Sequence, residues 1–137
     1  MIFPSFLNVF GDTAWRGKCP PESAEQITFF NWLRLQYPKS YGLIAIHPRN
    51  EGKRTHQQTQ RQKAEGMTPG AADVVVPGCP AFVCELKRRD HTASKWQDGQ
   101  IDYLEAAQGA GAFVCVALGW VAAKEAFETW LSNHQSN

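Results

Sequence analysis

The sequence lacks the features of membrane-spanning and secreted proteins. No apolar run approaches the roughly 18 residues that cross a bilayer, and the first residues, MIFPSFL, have neither the basic start nor the small-residue cleavage site of a signal peptide. At 137 residues, with 43% hydrophobic and 20% charged residues, the chain has the length and composition of one globular domain. We therefore expect a soluble, cytoplasmic protein.

Paired cysteines, internal repeats and low-complexity tracts are also absent. The four cysteines are Cys19, Cys79, Cys84 and Cys115, and no two of them form a CxxC pair. This spacing argues against a zinc ribbon or finger, which needs closely paired ligands. Because Cys84 and Cys115 lie in strongly apolar stretches, we expect reduced cysteines that behave as small core residues.

The chain has little net charge, but the charge is unevenly distributed. The 14 basic and 13 acidic residues give a net charge of +1. Between Arg49 and Lys95 there are nine Lys or Arg against five Asp or Glu, which leaves five against eight elsewhere. A basic middle segment is compatible with nucleic-acid binding, although a solvated surface gives the same pattern.

The hydrophobic pattern predicts an α/β fold with the element order α-β-β-β-α-β-α. An irregular arm over residues 1–20 precedes a single domain over 21–133, and a polar stretch over 48–65 is predicted to be a basic loop or an exposed short helix. We predict helices over 21–36, 95–109 and 121–131, and strands over 43–46, 73–76, 81–87 and 112–118. The second and third of these strands are expected to form a hairpin.

Charged residues interrupt the end of one very hydrophobic strand. Glu85 and Lys87 are two residues apart and therefore point to the same side of the strand, and Asp73 opens the neighbouring strand after a glycine-rich turn. Two carboxylates about 4–6 Å apart repel each other unless a cation lies between them. A divalent metal such as Mg²⁺ suits this arrangement, with the Leu86 carbonyl as a further oxygen ligand. Each residue taken singly is also typical of an exposed strand end or turn, but their combination favours a site.

These residues resemble the motifs of the VRR-NUC family of PD-(D/E)XK nucleases. The turn from Gly66 to Asp73 (GMTPGAAD) resembles the family's G-x-x-P-G-x-x-D, and Glu85-Leu86-Lys87 resembles its E-x-K. The sequence QIDYL from Gln100 resembles the motif on the following helix, and the loop HPRNEG over 47–52 is similar as well. The resemblance covers about residues 22–120. Ala72 departs from it, because the superfamily pattern has proline before the aspartate.

The resemblance implies a restriction-endonuclease-like core, a central mixed sheet flanked by helices, that holds one or two Mg²⁺ or Mn²⁺ ions. The implied metal ligands are Asp73, Glu85, the Leu86 carbonyl and an acid on the first helix. Glu22 and Glu25 both compete for the last role. We choose Glu22, because it precedes a glutamine by about one turn, as the family's acid does.

The resemblance also implies metal-dependent hydrolysis of DNA phosphodiester bonds. Lys87 would position or deprotonate the attacking water, and Gln100 would orient groups around the site, although a satisfied core amide is nearly as good an explanation for Gln100. The alternatives are a nucleic-acid binding module without turnover and, more remotely, a thiol enzyme that uses Cys84 or Cys115 with His47.

The partner implied by the resemblance is DNA, above all branched DNA such as four-way junctions. Stand-alone members of the family, among them phage-encoded ones, are thought to act as homodimers. We expect the apolar arm, with Trp120 or Trp130, to form the dimer interface unless the arm packs on its own domain. The predicted DNA contacts are basic residues and one histidine: Arg49, Lys53, Arg54, Arg61, Lys63, Arg88, Arg89, His91 and Lys95.

Overall fold

A computed structural model describes residues 1–48 and 55–134 of the chain. Its centre is a four-stranded mixed sheet with the order β1-β4-β3-β2. Strand β4 runs parallel to both β1 and β3, whereas β2 and β3 are antiparallel. The strands are β1 (Asn8–Phe10), β2 (Val74–Val76), β3 (Phe82–Lys87) and β4 (Phe113–Leu118). The helices are α1 (Glu22–Gln36), α2 (Tyr41–Ile44), α3 (His56–Ala64), α4 (Gln100–Gly109) and α5 (Trp120–His134).

Every residue of β3 is buried, because both faces of the sheet are covered. Phe82, Cys84 and Leu86 face a core cluster that includes residues of α1 and α5. Val83 points to the other side, into a second cluster that contains Leu104 of α4 and apolar residues of the N-terminal arm. Glu85 and Lys87 share the face of Val83, so these two charged side chains lie in the layer between the sheet and α4.

The predicted hairpin is present, and it places Asp73 beside the charged end of β3. Val74 pairs with Cys84 and Val76 with Phe82 in antiparallel register. The structure also confirms the first helix, which was predicted over 21–36 and is observed as Glu22–Gln36. The last helix is longer than predicted, and α3 is an exposed helix closed at its N-terminus by a Thr55–Gln58 capping box.

The strand predicted over 43–46 is wrong. The segment forms the short helix α2 instead, and only Ile46 pairs with the sheet, through a single bridge to Val75. Gly42 packs against the backbone of α1, where a Cβ atom would lie 2.7 Å from the Leu33 carbonyl oxygen. Short apolar runs do not distinguish strand from helix by period, and here the contact with α1 decides the outcome.

Two other segments differ from the sequence-based expectations. The arm over 1–20 is not irregular throughout, because β1 pairs with β4 and Leu7 is buried in the core. The helix predicted from residue 95 begins only at Gln100, after a short 3₁₀ turn at His91–Ala93. Gly99 precedes α4 with a φ of +88°, a left-handed conformation that ends the extended segment before the helix. None of the described helices is long and apolar enough to cross a membrane.

The turn before Asp73 packs against the turn before Gln100 through two glycines. Gly70 has a φ of +76°, and a Cβ atom on it would overlap the carbonyl group of Gly99 and lie 2.6 Å from the Gln100 nitrogen. We expect Gly70→Ala to lower the free energy of unfolding by about 1–3 kcal/mol more than Gly66→Ala does. Gly66 is the matched control, since its φ is +109° but nothing lies within 4 Å of its Cβ position. Equal losses in denaturant titrations would contradict the close packing of the two turns.

Candidate active site

Two carboxylates meet where β2 begins and β3 ends. One oxygen of Asp73, Oδ2, accepts a hydrogen bond from the Leu86 N–H at 2.9 Å, which fixes this side chain against the end of β3. The Glu85 side chain is 1% exposed, and its carboxyl group contacts that of Asp73. The second oxygen of Glu85, Oε2, is buried and has no hydrogen-bond partner. An unpaired buried carboxylate oxygen is costly, so this geometry favours a proton or a cation at the pair.

The environment of Glu85 strongly favours the protonated acid. Burial raises the pKa of Glu85 well above its ordinary value of 4.5, and the neighbouring Asp73 raises it further. The positive charge of Lys87 acts in the opposite direction, and the charge of Glu22 adds a smaller increase. The same carboxylate would ionise readily if a cation were bound beside it.

Lys87 is held at one position by acceptors from the segment that precedes α4. Its side chain is 1% exposed, and Nζ donates to the Lys95 carbonyl oxygen at 2.8 Å and to Gln100 Oε1 at 2.9 Å. The ammonium group also lies 5.1 Å from the centre of the Trp96 ring. Gln100 in turn donates to Glu85 Oε1 at 3.4 Å, so its amide connects the buried acid with the buried base. The structure thus brings Asp73, Glu85, Lys87 and Gln100 together.

The two acids of α1 occupy different places. Glu25 accepts a hydrogen bond from the Trp120 N–H at 2.9 Å, at the first residue of α5, where it satisfies a free amide of the helix end. Glu22 instead accepts a hydrogen bond from Ser94 Oγ at 2.6 Å. Its negative charge slightly raises the pKa of Glu85. Glu22 is therefore the acid of α1 whose charge acts on Glu85, and its role as a ligand stays a prediction.

A groove of about 330 Å³ leads from α3 to Asp73. Thr59 and Lys63 of α3 line one part of it, and Asp73 and Gln100 line another. His47 also lies on this groove, and its Nδ1 is 2.8 Å from the Asp73 carbonyl oxygen, so the ring donates to the backbone of a site residue. The groove gives a substrate access to Asp73 from the side of α3.

Comparison with known proteins shows similarity in the fold but not in the sequence. No family model matches the sequence, and no curated protein matches it either. A solved structure titled "VRR_NUC domain protein" superposes on the chain with a TM-score of 0.68 and 18% sequence identity. The superposition covers 86% of this chain and 92% of that one. The chain has the fold of a VRR_NUC domain. This agrees with the resemblance found in the motifs at the level of the fold.

The predicted nucleic-acid contacts fall into three groups in this VRR_NUC fold. Arg61 and Lys63 are exposed on α3, and Arg61 approaches Glu65 at 3.9 Å. Arg89 and Lys95 are exposed near the end of β3, whereas Arg88 is half-buried and donates to the Pro20 carbonyl oxygen at 3.3 Å. The remaining basic candidates lie outside the described residues: Arg49, Lys53 and Arg54.

His91 does not fit the prediction of a nucleic-acid contact. Its ring is 8% exposed, Nε2 lies 3.0 Å from the Thr13 carbonyl oxygen, and the ring packs edge-on against Phe3. The histidine therefore holds the N-terminal arm against the domain. The basic residues that neighbour His91 in the sequence do not indicate this role, because it depends on the packing of the distant N-terminal arm.

The two cysteines of the thiol-enzyme alternative, Cys84 and Cys115, are poorly placed to act as nucleophiles. All four are free thiols, and Cys84 and Cys115 are fully buried as adjacent partners on β3 and β4. The hydrogen bond with Cys115, followed by burial, raises the pKa of the Cys84 thiol well above its ordinary value. A thiol enzyme needs the opposite, an accessible sulfur with a lowered pKa, so the structure argues against that alternative.

Sequence reasoning missed three contributors to the site. Ser94 connects Glu22 with the Arg88 N–H, Trp96 lies beside the Lys87 ammonium, and Lys95 supplies only its backbone carbonyl. The serine and the tryptophan occupy a polar stretch without a regular period. A backbone acceptor leaves no signal in residue type, so it could not have been found from the sequence.

We expect Glu85→Gln to stabilise the metal-free protein increasingly as the pH rises. Because the folded state retains a proton on Glu85 that the unfolded chain releases near pH 4.5, wild-type stability falls as the pH rises from there to the higher pKa of the folded state. Within that window the slope is about 1.4 kcal/mol per pH unit. Urea titrations in EDTA from pH 5 to pH 8 measure it, with exposed Glu105→Gln as the control. A pH-independent difference between Glu85→Gln and the wild type would contradict the buried, protonated acid.

Proposed function

We propose that this chain is a metal-dependent DNA endonuclease that hydrolyses phosphodiester bonds and belongs to the VRR-NUC family of PD-(D/E)XK nucleases. The observation that carries the proposal is the convergence of Asp73, Glu85, Lys87 and Gln100 at the end of the hairpin. These are the residues that the motif resemblance selects, and the VRR_NUC fold supports the same family.

The carboxylate pair fits a divalent metal ion of the Mg²⁺ or Mn²⁺ class. Among residues 1–48 and 55–134, no three Cys, His, Asp or Glu side chains cluster closely enough to hold a metal by themselves. Mg²⁺, however, is commonly bound by one or two carboxylates together with water and substrate phosphate oxygens. Asp73 and Glu85 would hold the ion, and the Glu85 oxygen without a hydrogen-bond partner, Oε2, would be one of the ligand atoms. The Leu86 carbonyl oxygen and Glu22 complete the proposed set of ligands. When bound, one or two such ions supply Lewis acidity and lower the pKa of a coordinated water.

Lys87 is best suited to act as a fixed positive charge and donor. Two of its three N–H donors are used by Lys95 and Gln100, which leaves one for an attacking water or a phosphate oxygen. An oriented cation in a buried site stabilises the negative charge that develops on the phosphate in the transition state. Gln100 positions this ammonium group and the Glu85 carboxylate at the same time.

The proposed DNA path follows exposed cations on α3 and beyond the end of β3. Arg61 and Lys63 on α3, together with Arg89 and Lys95 beyond β3, lie on exposed parts of the surface, where phosphate contacts position a duplex. Lys63 lines the groove to Asp73, which makes α3 one wall of the proposed path. We include branched DNA, such as a four-way junction, as the preferred substrate on the basis of the family resemblance alone.

A cleavage panel tests the proposal. Duplex, flap, splayed-arm and four-way substrates are incubated with Mg²⁺, Mn²⁺ or EDTA. We expect metal-dependent cutting, fastest on branched substrates, and no cutting in EDTA. A protein that binds these DNAs but cuts none of them with either metal would instead support the alternative of a non-catalytic binding module.

We also propose that the chain acts as a homodimer, because two coordinated cuts in a four-way junction need two active sites. The arm is not a free apolar surface, since β1 pairs with β4, and Trp130 is completely buried. Apolar side chains of α1, of α2 and of Ile46 just beyond α2 are exposed instead: Ile27, Leu35, Leu43, Ile44 and Ile46. Light scattering at micromolar concentration is expected to give twice the chain mass of 15.3 kDa. A mass near 15.3 kDa would contradict the dimer.

A further inference from the structure

A second cavity lies beside the proposed catalytic site, at the edge where β3 and β4 end. Its volume is about 480 Å³, within the range of pockets that hold small ligands. Gly119 lines it, and the Gly119 N–H donates to the Lys87 carbonyl oxygen at 2.9 Å, so the wall of the cavity is bonded to the catalytic strand. On α1, Glu25 lines this cavity one turn after Glu22, which accepts a hydrogen bond from Ser94.

One wall of the cavity is a tryptophan with a cation stacked on it. The Arg89 guanidinium carbon lies 4.1 Å from the centre of the Trp15 ring, and both residues line the cavity. The loop that carries Trp15 is held in place, because Asp12 Oδ1 accepts from the Ala14 N–H at 2.9 Å and Asp90 Oδ2 accepts from the Gly17 N–H at 3.2 Å. This wall is therefore formed before any ligand arrives.

The other residues that line the cavity indicate which kind of ligand would fit it. Lys18 adds a second cation and Trp120 a second aromatic ring, while three carboxylates also line the cavity: Asp12, Glu25 and Glu125. Three acids against two bases disfavour a multiply charged anion such as pyrophosphate. Aromatic walls, a fixed arginine and carboxylate acceptors suit a nucleobase, whose exocyclic amine donates to a carboxylate, together with a single phosphate.

The geometry points to a cavity that holds one unpaired nucleotide of the DNA substrate, next to the strand being cut. The inference rests on the proposed nuclease function and extends it, since it assigns the substrate a single-stranded segment adjacent to the cleaved bond. A base stacks against the Trp15–Arg89 pair, and Arg89 and Lys18 hold the phosphate of that nucleotide. A base within a duplex is stacked and paired, so a blunt duplex cannot supply it.

The test is a binding comparison in EDTA, where cleavage cannot occur. The probes are a blunt duplex and the same duplex with a short single-stranded deoxyadenosine extension, whose bases carry the exocyclic amine. We expect the wild-type protein to bind the extended DNA more tightly. Trp15→Leu should weaken binding of the extended DNA by about 5- to 150-fold, as loss of one base-stacking contact does, and leave blunt-duplex binding unchanged. Trp15→Phe, which keeps an aromatic face, should restore most of the difference.

Arg89→Ala is the second variant. Because the Arg89 side chain is exposed, we expect this variant to fold as the wild-type protein does. It should weaken binding of the extended DNA by about tenfold or more, and binding of the blunt duplex by less, because Arg89 also lies on the proposed duplex path. Arg34→Ala is the matched control, because Arg34 also lies over an aromatic ring, 5.2 Å from the centre of Phe30, but outside this cavity. It should leave the preference for extended DNA as it is in the wild-type protein.

The outcomes separate this inference from the function on which it rests. If the wild-type protein binds both DNAs and neither Trp15→Leu nor Arg89→Ala changes the ratio of the two affinities, the nucleotide cavity is overturned and the nuclease proposal stands. If the wild-type protein binds neither DNA, both proposals are overturned. A loss for the extended DNA that exceeds the loss for the blunt duplex in both variants, absent from Arg34→Ala, supports the cavity.

Discussion

Replacing either carboxylate of the hairpin is expected to reduce DNA cleavage by more than about 100-fold while DNA binding remains measurable. Even the outer partners of metal ligands change activity or affinity by 10- to 100-fold, so the loss of a proposed ligand should exceed that range. Asp73→Asn is the sharper variant at its position, because the amide oxygen can still accept from the Leu86 N–H. At the other position we expect the same loss from Glu85→Ala.

Single-turnover cleavage with Mn²⁺ and binding in EDTA measure the two effects separately. Glu105→Ala is the charge-matched control, since Glu105 is exposed on α4, and it should cut at the wild-type rate. Wild-type cleavage by Asp73→Asn or Glu85→Ala would remove the metal assignment. Loss of binding together with cleavage would indicate that the carboxylates support the fold rather than the reaction.

Removing the ammonium group of Lys87 is expected to lower the cleavage rate by about 100- to 1000-fold, the usual cost of one preorganised donor to the transition state. Lys87→Met retains most of the buried volume, so it separates the charge from the packing. The variant should still bind Mn²⁺ in calorimetry, because Asp73 and Glu85 are unchanged. Cleavage at the wild-type rate would show that the proposed role of Lys87 is wrong.

Lys95 provides an informative control for Lys87. Its carbonyl oxygen holds the Lys87 ammonium group, but its own side chain is exposed. Lys95→Ala keeps the backbone acceptor and should therefore keep the single-turnover rate at saturating enzyme. We expect Lys95→Ala to affect only DNA binding, which should weaken in a salt-dependent manner, as for the loss of a phosphate contact.

The sequence predicted the hairpin and its charged end because both signals are local. An alternation of side chains places Glu85 and Lys87 on one face, and the glycine-rich turn before Asp73 marks where the neighbouring strand begins. Gln100 could be selected from its motif. Its contacts with Lys87 and Glu85 depend on the packing of α4 against the sheet, which no local pattern reports.

The errors arose where tertiary contacts outweigh local pattern. The run over 43–46 looks like a strand, but Gly42 allows it to dock on α1 as a helix. His91 looks like part of a basic cluster, but the returning arm buries it. Glu22 and Glu25 are three residues apart on one helix, and only the position of α5 gives Glu25 a different partner.

The strand β1 has a consequence for the behaviour of the chain in concentrated solution. Without it, β4 would present an unpaired edge of six residues, FVCVAL, that is apolar and carries no charge. Exposed edges of this kind recruit other chains and begin aggregation. With β1 in place, the sheet ends on both sides in strands of only three residues, Asn8–Phe10 and Val74–Val76. By pairing with β4, the N-terminal arm is expected to protect the chain from edge-to-edge aggregation, independently of any role in the reaction.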